Sequence, residues 1–228
     1  MKKFMVTLTA ATIAVAGCGG QEPAEVAGAE RVAAGRVDVS VLRQGHVNSV
    51  NAETPAAAAV ARGVGIVVAG TVEGFTEGRT SYVGDPASDD GPIKRVVMRI
   101  RVGKKVKGED RHLHDGHAYA EVFAGAGQSA RTPADFQRAI PKGTPVVLFG
   151  RTRPTPDQPA SRGGGVPEGA PLVSALHPQS LVFEERTPAT ARAAAGTKLV
   201  GGIEDLDHFG PAWTKPRSIG ELVTAIQQ

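Results

Sequence analysis

The sequence predicts a mainly β protein: a small five-stranded barrel with one helix between the third and fourth strands, plus short flanking helices. Three observations carry this expectation. Short runs of β-branched and apolar residues recur along the chain, separated by clusters of Gly, Pro and Asp. One of these runs alternates between apolar and basic residues, as a strand with one wet face does. The helical stretches are brief, and three of them open on the same Thr-Pro pair.

Taken in order, "GIVVAGTVEGF" (Gly65 to Phe75) reads as the first strand, β-branched and apolar. In the second, "IKRVVMRIRV", Val96, Met98, Ile100 and Val102 fall on one face and Arg95, Val97, Arg99 and Arg101 on the other. "AYAEVFA" (Ala118 to Ala124) supplies the third strand, "PVVLFGR" (Pro145 to Arg151) the fourth and "SLVFEE" (Ser180 to Glu185) the fifth. Short strands are also expected at Val37 to Leu42 and at Lys198 to Ile203. The helices start at Thr54, Thr132 and Thr187. Each threonine serves as N-cap, and the following Pro stands at N1, where its missing N–H costs nothing. Gly63 and Gly196 stand where helices end. A last helix, "SIGELVTAIQQ", has a Ser218/Glu221 capping box and an apolar stripe of Ile219, Leu222, Val223 and Ile226. Three strands, a helix at Pro133 to Ile140 and two more strands is the order of the OB-fold.

The N-terminal stretch "MKKFMVTLTAATIAVAGCGG" has a basic start, an apolar run too short to span a bilayer, and small residues before Cys18. Val15-Ala16-Gly17-Cys18 resembles the bacterial lipoprotein box, which implies cleavage after Gly17 and lipidation of Cys18, the sole cysteine. Cleavage after Ala16, on an A-x-A pattern, is the alternative. The expected organisation is a signal peptide at 1–17, a tether at 18–51, and a barrel domain at 52–228 with a Pro/Gly-rich insertion at 152–176. A diacylglyceryl group would hold the chain to the outer side of a membrane, since each buried methylene adds ~0.8 kcal/mol. With that cysteine consumed, no intramolecular disulfide and no thiolate ligand remain.

Three stretches, "IVVAGTVEGF", "KKVKGE" and "PKGTPVVLFGR", resemble a family of uncharacterised bacterial exported proteins. Their domain is OB-like, in the manner of the netrin and metalloprotease-inhibitor modules. The likeness runs from about Gly63 to Glu185 and lacks the disulfides of the animal modules. It implies the barrel and no catalytic residues.

Charge excludes one class of partner. The formal net charge of +3 falls, once residues 1–17 are removed, to 24 basic against 23 acidic residues, no footprint for nucleic acid. Four basic residues, Arg95, Arg99, Arg101 and Lys105, are expected on one face of the second strand, where OB-folds bind ligands. An anionic envelope ligand or a protein partner would suit them; a solvated antiparallel face accounts for the same residues. "RHLHDGH" gathers half of the six histidines. His112 and His114 would share a face in an extended strand, with His117 as a third metal ligand, although a plain polar hairpin loop fits as well. "GAGQSA" (Gly125 to Ala130) mimics a dinucleotide fingerprint, but the next helix opens at Thr132-Pro133 and not at the glycines. Asp85, Asp89 and Asp90 lack the spacing of a calcium loop. No G-x-S-x-G, H-E-x-x-H or S-x-x-K occurs. The expectation is therefore a membrane-anchored binding or envelope-scaffolding module, not an enzyme, with no cofactor. The rival is a metal-dependent extracytoplasmic enzyme built on the histidine loop.

Overall fold

The computed structural model describes residues 36–43, 51–82, 91–152, 165–187 and 196–228. The signal peptide, Cys18, most of the tether, the aspartates at 85, 89 and 90, residues 153–164 of the insertion and the third Thr-Pro helix lie outside the described residues. Seven strands form one sheet: β1 (Val64–Ser81), β2 (Ile93–Lys107), β3 (His117–Ala126), β4 (Pro145–Arg151), β5 (Leu172–Ser174), β6 (Leu181–Thr187) and β7 (Gly196–Gly201). Their order is β1-β2-β3-β5-β4-β6-β7, and β1 also pairs with β4, which closes the first five into a ring. β3 and β5 run parallel; the other neighbours are antiparallel. Helix α2 (Pro133–Ala139) lies between β3 and β4. This is the expected OB-like barrel.

The predicted fifth strand needs correcting. Ring closure is made by Leu172–Ser174, which the sequence reading placed in the Pro/Gly-rich insertion, through Tyr119↔Leu172 and Glu121↔Ser174 to β3 and Arg151↔Ser174 to β4. The predicted "SLVFEE" strand is β6, which pairs further down β4, Val146↔Phe183 to Leu148↔Leu181, and carries β7 on its outer edge. One partner of β4 is thus broken in two by residues 175–180, which end in a 3-10 turn at Pro178–Ser180.

The inside of the ring is filled as the alternation requires. Val96, Met98 and Ile100 of β2 meet Ile66, Val68 and Val72 of β1, Ala118, Ala120 and Val122 of β3, and Val146 and Leu148 of β4. Phe136 and Ile140 of the α2 segment join the same cluster. Thr132 caps α2: Asp135 N–H donates to its hydroxyl at 3.4 Å, and its own N–H donates to the Asp135 carboxylate at 2.9 Å. That backbone bond holds the Asp135 carboxyl below its usual range.

Part of the predicted tether belongs to the barrel. Val39–Leu42 is a 3-10 turn, not the expected strand, and Val37, Val41 and Leu42 are buried in the same core. Arg43 fixes the segment by donating to the Gly201 carbonyl at 2.9 Å and to Asp205 at 2.6 Å. Asp205 is held below its usual carboxylate range by that bond.

A second apolar layer coats the outside of β1, β4 and β6. Helices α1 (Pro55–Val60), α3 (Pro211–Thr214) and α4 (Ile219–Ile226) bring Ala58, Trp213, Leu222, Val223 and Ile226 onto Val67, Val147, Phe149 and Val182. Thr54 caps α1 as predicted, accepting from Ala57 N–H at 3.1 Å, and Lys107 pins it by donating to the Ala59 carbonyl. The C-terminal capping box is half made: Glu221 N–H donates to Ser218, but the Glu221 carboxylate accepts from Arg217 N–H.

Two outcomes follow for stability. Met98→Asp or Ile100→Asp places an unpaired charge in a fully buried row and should cost several kcal/mol, on the order of a small domain's whole stability. A chain starting at residue 52 loses the burial of Val37, Val41 and Leu42, roughly 5 kcal/mol by area. Urea unfolding should therefore show it far less stable than a chain starting at residue 36.

Candidate functional site

The outer face of β1, β2 and β3 carries a belt of charged side chains, and β-bulges aim two of them. Val72 faces Ile100 and Gly74 faces Arg99, so Glu73 is the extra residue of a bulge in β1. It leans over the neighbouring strands: its carboxylate lies 3.1 Å from Arg99 Nε, 3.5 Å from Arg101 Nε and 3.0 Å from His117 Nε2. Further along, Glu77 faces Val96 and Thr80 faces Lys94, leaving Gly78 and Arg79 opposite Arg95 alone. Arg79 reaches across β2 to Glu121 of β3, donating from Nε to Oε1 at 2.6 Å and from Nη2 to Oε2. Arg95 closes on the same carboxylate at 3.7 Å. Glu121 is 1% exposed, and its hydrogen bond raises the Arg79 pKa further above its ordinary value.

The face is partly roofed by the segment that leads into β5. Val166, Ala170 and Leu172 pack on Val97 and Tyr119, so the outward Val97 is buried, not wet as its place in the alternation suggested. This roof leaves the Glu73 end of the belt open. There Arg99 and Arg101 remain 49% and 66% exposed at the side chain.

The four predicted basic residues therefore separate. Arg99 and Arg101 stay together at the open end, whereas Arg95 is drawn onto buried Glu121. Lys105 does not share their face. Arg101 stands opposite Thr71, but the register shift between Ala69 and Gly70 puts Lys105 opposite the core residue Val68, and its ammonium pairs with Asp110.

The histidine loop is also re-sorted. His112 ends a 3-10 turn at Asp110–His112 and is not in the extended backbone that would align it with His114. His114 and His117 exchange both backbone hydrogen bonds at 2.9 Å. Asp115 and Gly116 between them have φ of 48° and 73°, the positive pair of a two-residue type I′ hairpin. The two imidazoles flank the Tyr119 ring, each with its centroid 6.4 Å away, and His117 also bonds Glu73. Among the described residues no group of three or more His, Cys, Asp or Glu side chains stands where it could hold a metal ion. Sequence reasoning missed Glu73, Arg79 and Glu121 because their partners lie 26 to 44 positions away. The Asp-Gly signal for the hairpin was present in the sequence.

No protein-family model, no curated protein and no solved structure matches the chain.

Removing Arg79 leaves a buried carboxylate with half its partners, so Arg79→Ala should destabilise the protein by about 3 kcal/mol. Arg99→Ala, at the exposed end, should cost less than about 1 kcal/mol. Chemical denaturation of the two variants measures the contrast, and equal costs would contradict the division of the belt into a buried and an open half.

Proposed function

We propose that this chain is a lipid-anchored envelope protein whose OB-like barrel is a binding module for an anionic ligand. One observation carries the binding site: Arg99 and Arg101 stay half-exposed beside a single partly buried Glu73, on the strand face that OB-folds use for ligands. Two guanidiniums against one carboxylate leave positive charge at the open end, and planar forks suit phosphate or carboxylate oxygens. The opposite outer face is already coated by α1, α3 and α4. Anchoring rests on the box ending at Cys18; among the described residues no helix is long and apolar enough to cross a membrane. In this reading the three histidines shape and tether the β2–β3 loop, and the chain is not an enzyme.

Metabolic labelling tests the anchor: fatty acid should enter the wild-type protein, and Cys18→Ser should abolish the label and leave the precursor uncleaved at Gly17. Sedimentation with phosphatidylglycerol vesicles and with a soluble polyanion tests the face. The paired change Arg99→Ala/Arg101→Ala should weaken binding about ten- to thirtyfold at low salt. Equal binding to neutral vesicles, or no effect of the paired change, would remove the assignment.

A further inference from the structure

A second place in the molecule is built for a ligand and shares no residue with the charged belt. Where β4 ends and β1 begins, a cavity of ≈ 190 Å³ opens beside α1 and the Pro178–Ser180 turn. Arg151, Asn51 and His177 supply its polar part, and Ala58, Val64 and Phe149 its apolar walls. Arg151 Nε is buried and has no hydrogen-bond acceptor, and Asn51 Oδ1 is buried and has no donor. Among the described residues no carboxylate pairs with Arg151, in contrast to Arg79, Arg95, Arg99 and Arg101. Buried polar groups are almost always satisfied, and an unmet one is costly, the more so when charged. A buried donor and a buried acceptor without partners in the chain thus line one cavity.

The rest of the cavity is rigidly made. Gln179 is buried and clamps the backbone of Ala52 from both sides, accepting from its N–H at 2.8 Å and donating to its carbonyl at 2.7 Å. Trp213 Nε1 donates to the same carbonyl at 3.0 Å. Those bonds hold residues 51 and 52 against the barrel, and Asn51 with them. His177 Nδ1 accepts from Gln179 N–H at 3.3 Å, which places the proton of the neutral ring on Nε2.

We infer that this cavity binds a small monocarboxylate with a neighbouring N–H or O–H and a short apolar substituent. The guanidinium takes the carboxylate, Asn51 Oδ1 accepts from the neighbouring donor, and the substituent lies on Ala58, Val64 and Phe149. A dianion is disfavoured: one guanidinium balances one charge, and the apolar walls would strip water from the second. A cavity of that volume suits a ligand of that small size. The same chemistry occurs in a free hydroxy or amino acid and at the C-terminal residue of a peptide.

Titration calorimetry on the purified full-length protein tests this with L-lactate and L-alanine as free acids, N-acetyl-L-alanine as a chain-end mimic, and N-acetyl-L-alaninamide as the probe without a carboxylate. At least one carboxylate should bind, with the amide about tenfold weaker or worse. Binding of N-acetyl-L-alanine identifies a chain end as the source; binding of the free acids alone identifies a metabolite. Arg151→Met should weaken binding about ten- to hundredfold while leaving Tm unchanged or raised, because the wild-type Nε has no partner to lose. Ala61→Phe, which puts a large apolar side chain into the same cavity and leaves Arg151 in the chain, should also abolish binding. No binding by any carboxylate, or binding unchanged in both variants, overturns the inference. So does an Arg151→Met protein that melts much lower and gains no stability from any acid in the wild type, since the arginine would then be structural.

Discussion

β1 must pair along both of its edges, and the rest of the fold depends on how it does so. Its first half holds β4 on one side and β2 on the other; its second half holds β2 alone. A strand that serves both edges of a closing sheet has to coil strongly, and β-bulges supply the extra local twist. Four register shifts interrupt the β1–β2 ladder. Where the ring tightens there is no room for side chains: a Cβ on Gly70 would lie 2.1 Å from the Arg101 carbonyl, and one on Gly150 would lie 2.7 Å from the Ile66 side chain. Barrel closure and those two glycines are one constraint.

The same bulges that bend β1 produce the charged belt. A regular strand would send Glu73 and Arg79 out at fixed intervals, each beside its own cross-strand neighbour. The inserted residues turn them toward β2 and β3 instead, so that each carboxylate collects several nitrogen partners from different strands. Charge pairing then follows burial. Glu121, nearly sealed under the Val166–Leu172 roof, is held by two guanidiniums with one bidentate contact, the arrangement that repays desolvation of a carboxylate. Glu73, nearer solvent, is shared among looser partners, and its two arginines keep much of their exposure.

What could be read in the sequence was what local periodicity encodes. The inward row of β2, the Thr54 and Thr132 caps, the apolar stripe of α4 and the strand–helix order as far as β4 all depend on neighbours within a few residues, and all stand where expected. Three kinds of feature escaped. β5 is three residues long, too short for any period, and sits in a Pro/Gly-rich stretch that reads as loop. The Val37–Leu42 segment has apolar residues whose burial depends on α2 and β7, far away in the chain. Bulges reverse alternation without leaving a compositional mark, which is why Lys105 was grouped with Arg99 and Arg101. For the sites the same logic holds: the arginines of β2 were visible as a pattern, whereas the carboxylates that neutralise them were not. Asn51, Arg151 and His177 are brought together only by the ring closure and the broken β5–β6 strand.

The two sites differ in how the fold treats a guanidinium. On the belt, every arginine has a carboxylate of the chain within reach, although four guanidiniums share two carboxylates and the surplus positive charge is accessible at the open end. At the end of β4 the fold does the reverse: it buries the Nε of Arg151 among apolar walls and gives it no acceptor. A purely structural arginine in that place would be a poor choice, because methionine would fill the same volume without desolvating a charge. The buried half of the belt can be explained by the stability of a twisted sheet with polar residues on its outer face. The cavity differs, since a buried guanidinium nitrogen and a buried amide oxygen line it without a partner from the chain, and the bonds that Gln179 and Trp213 make to Ala52 keep the segment in place.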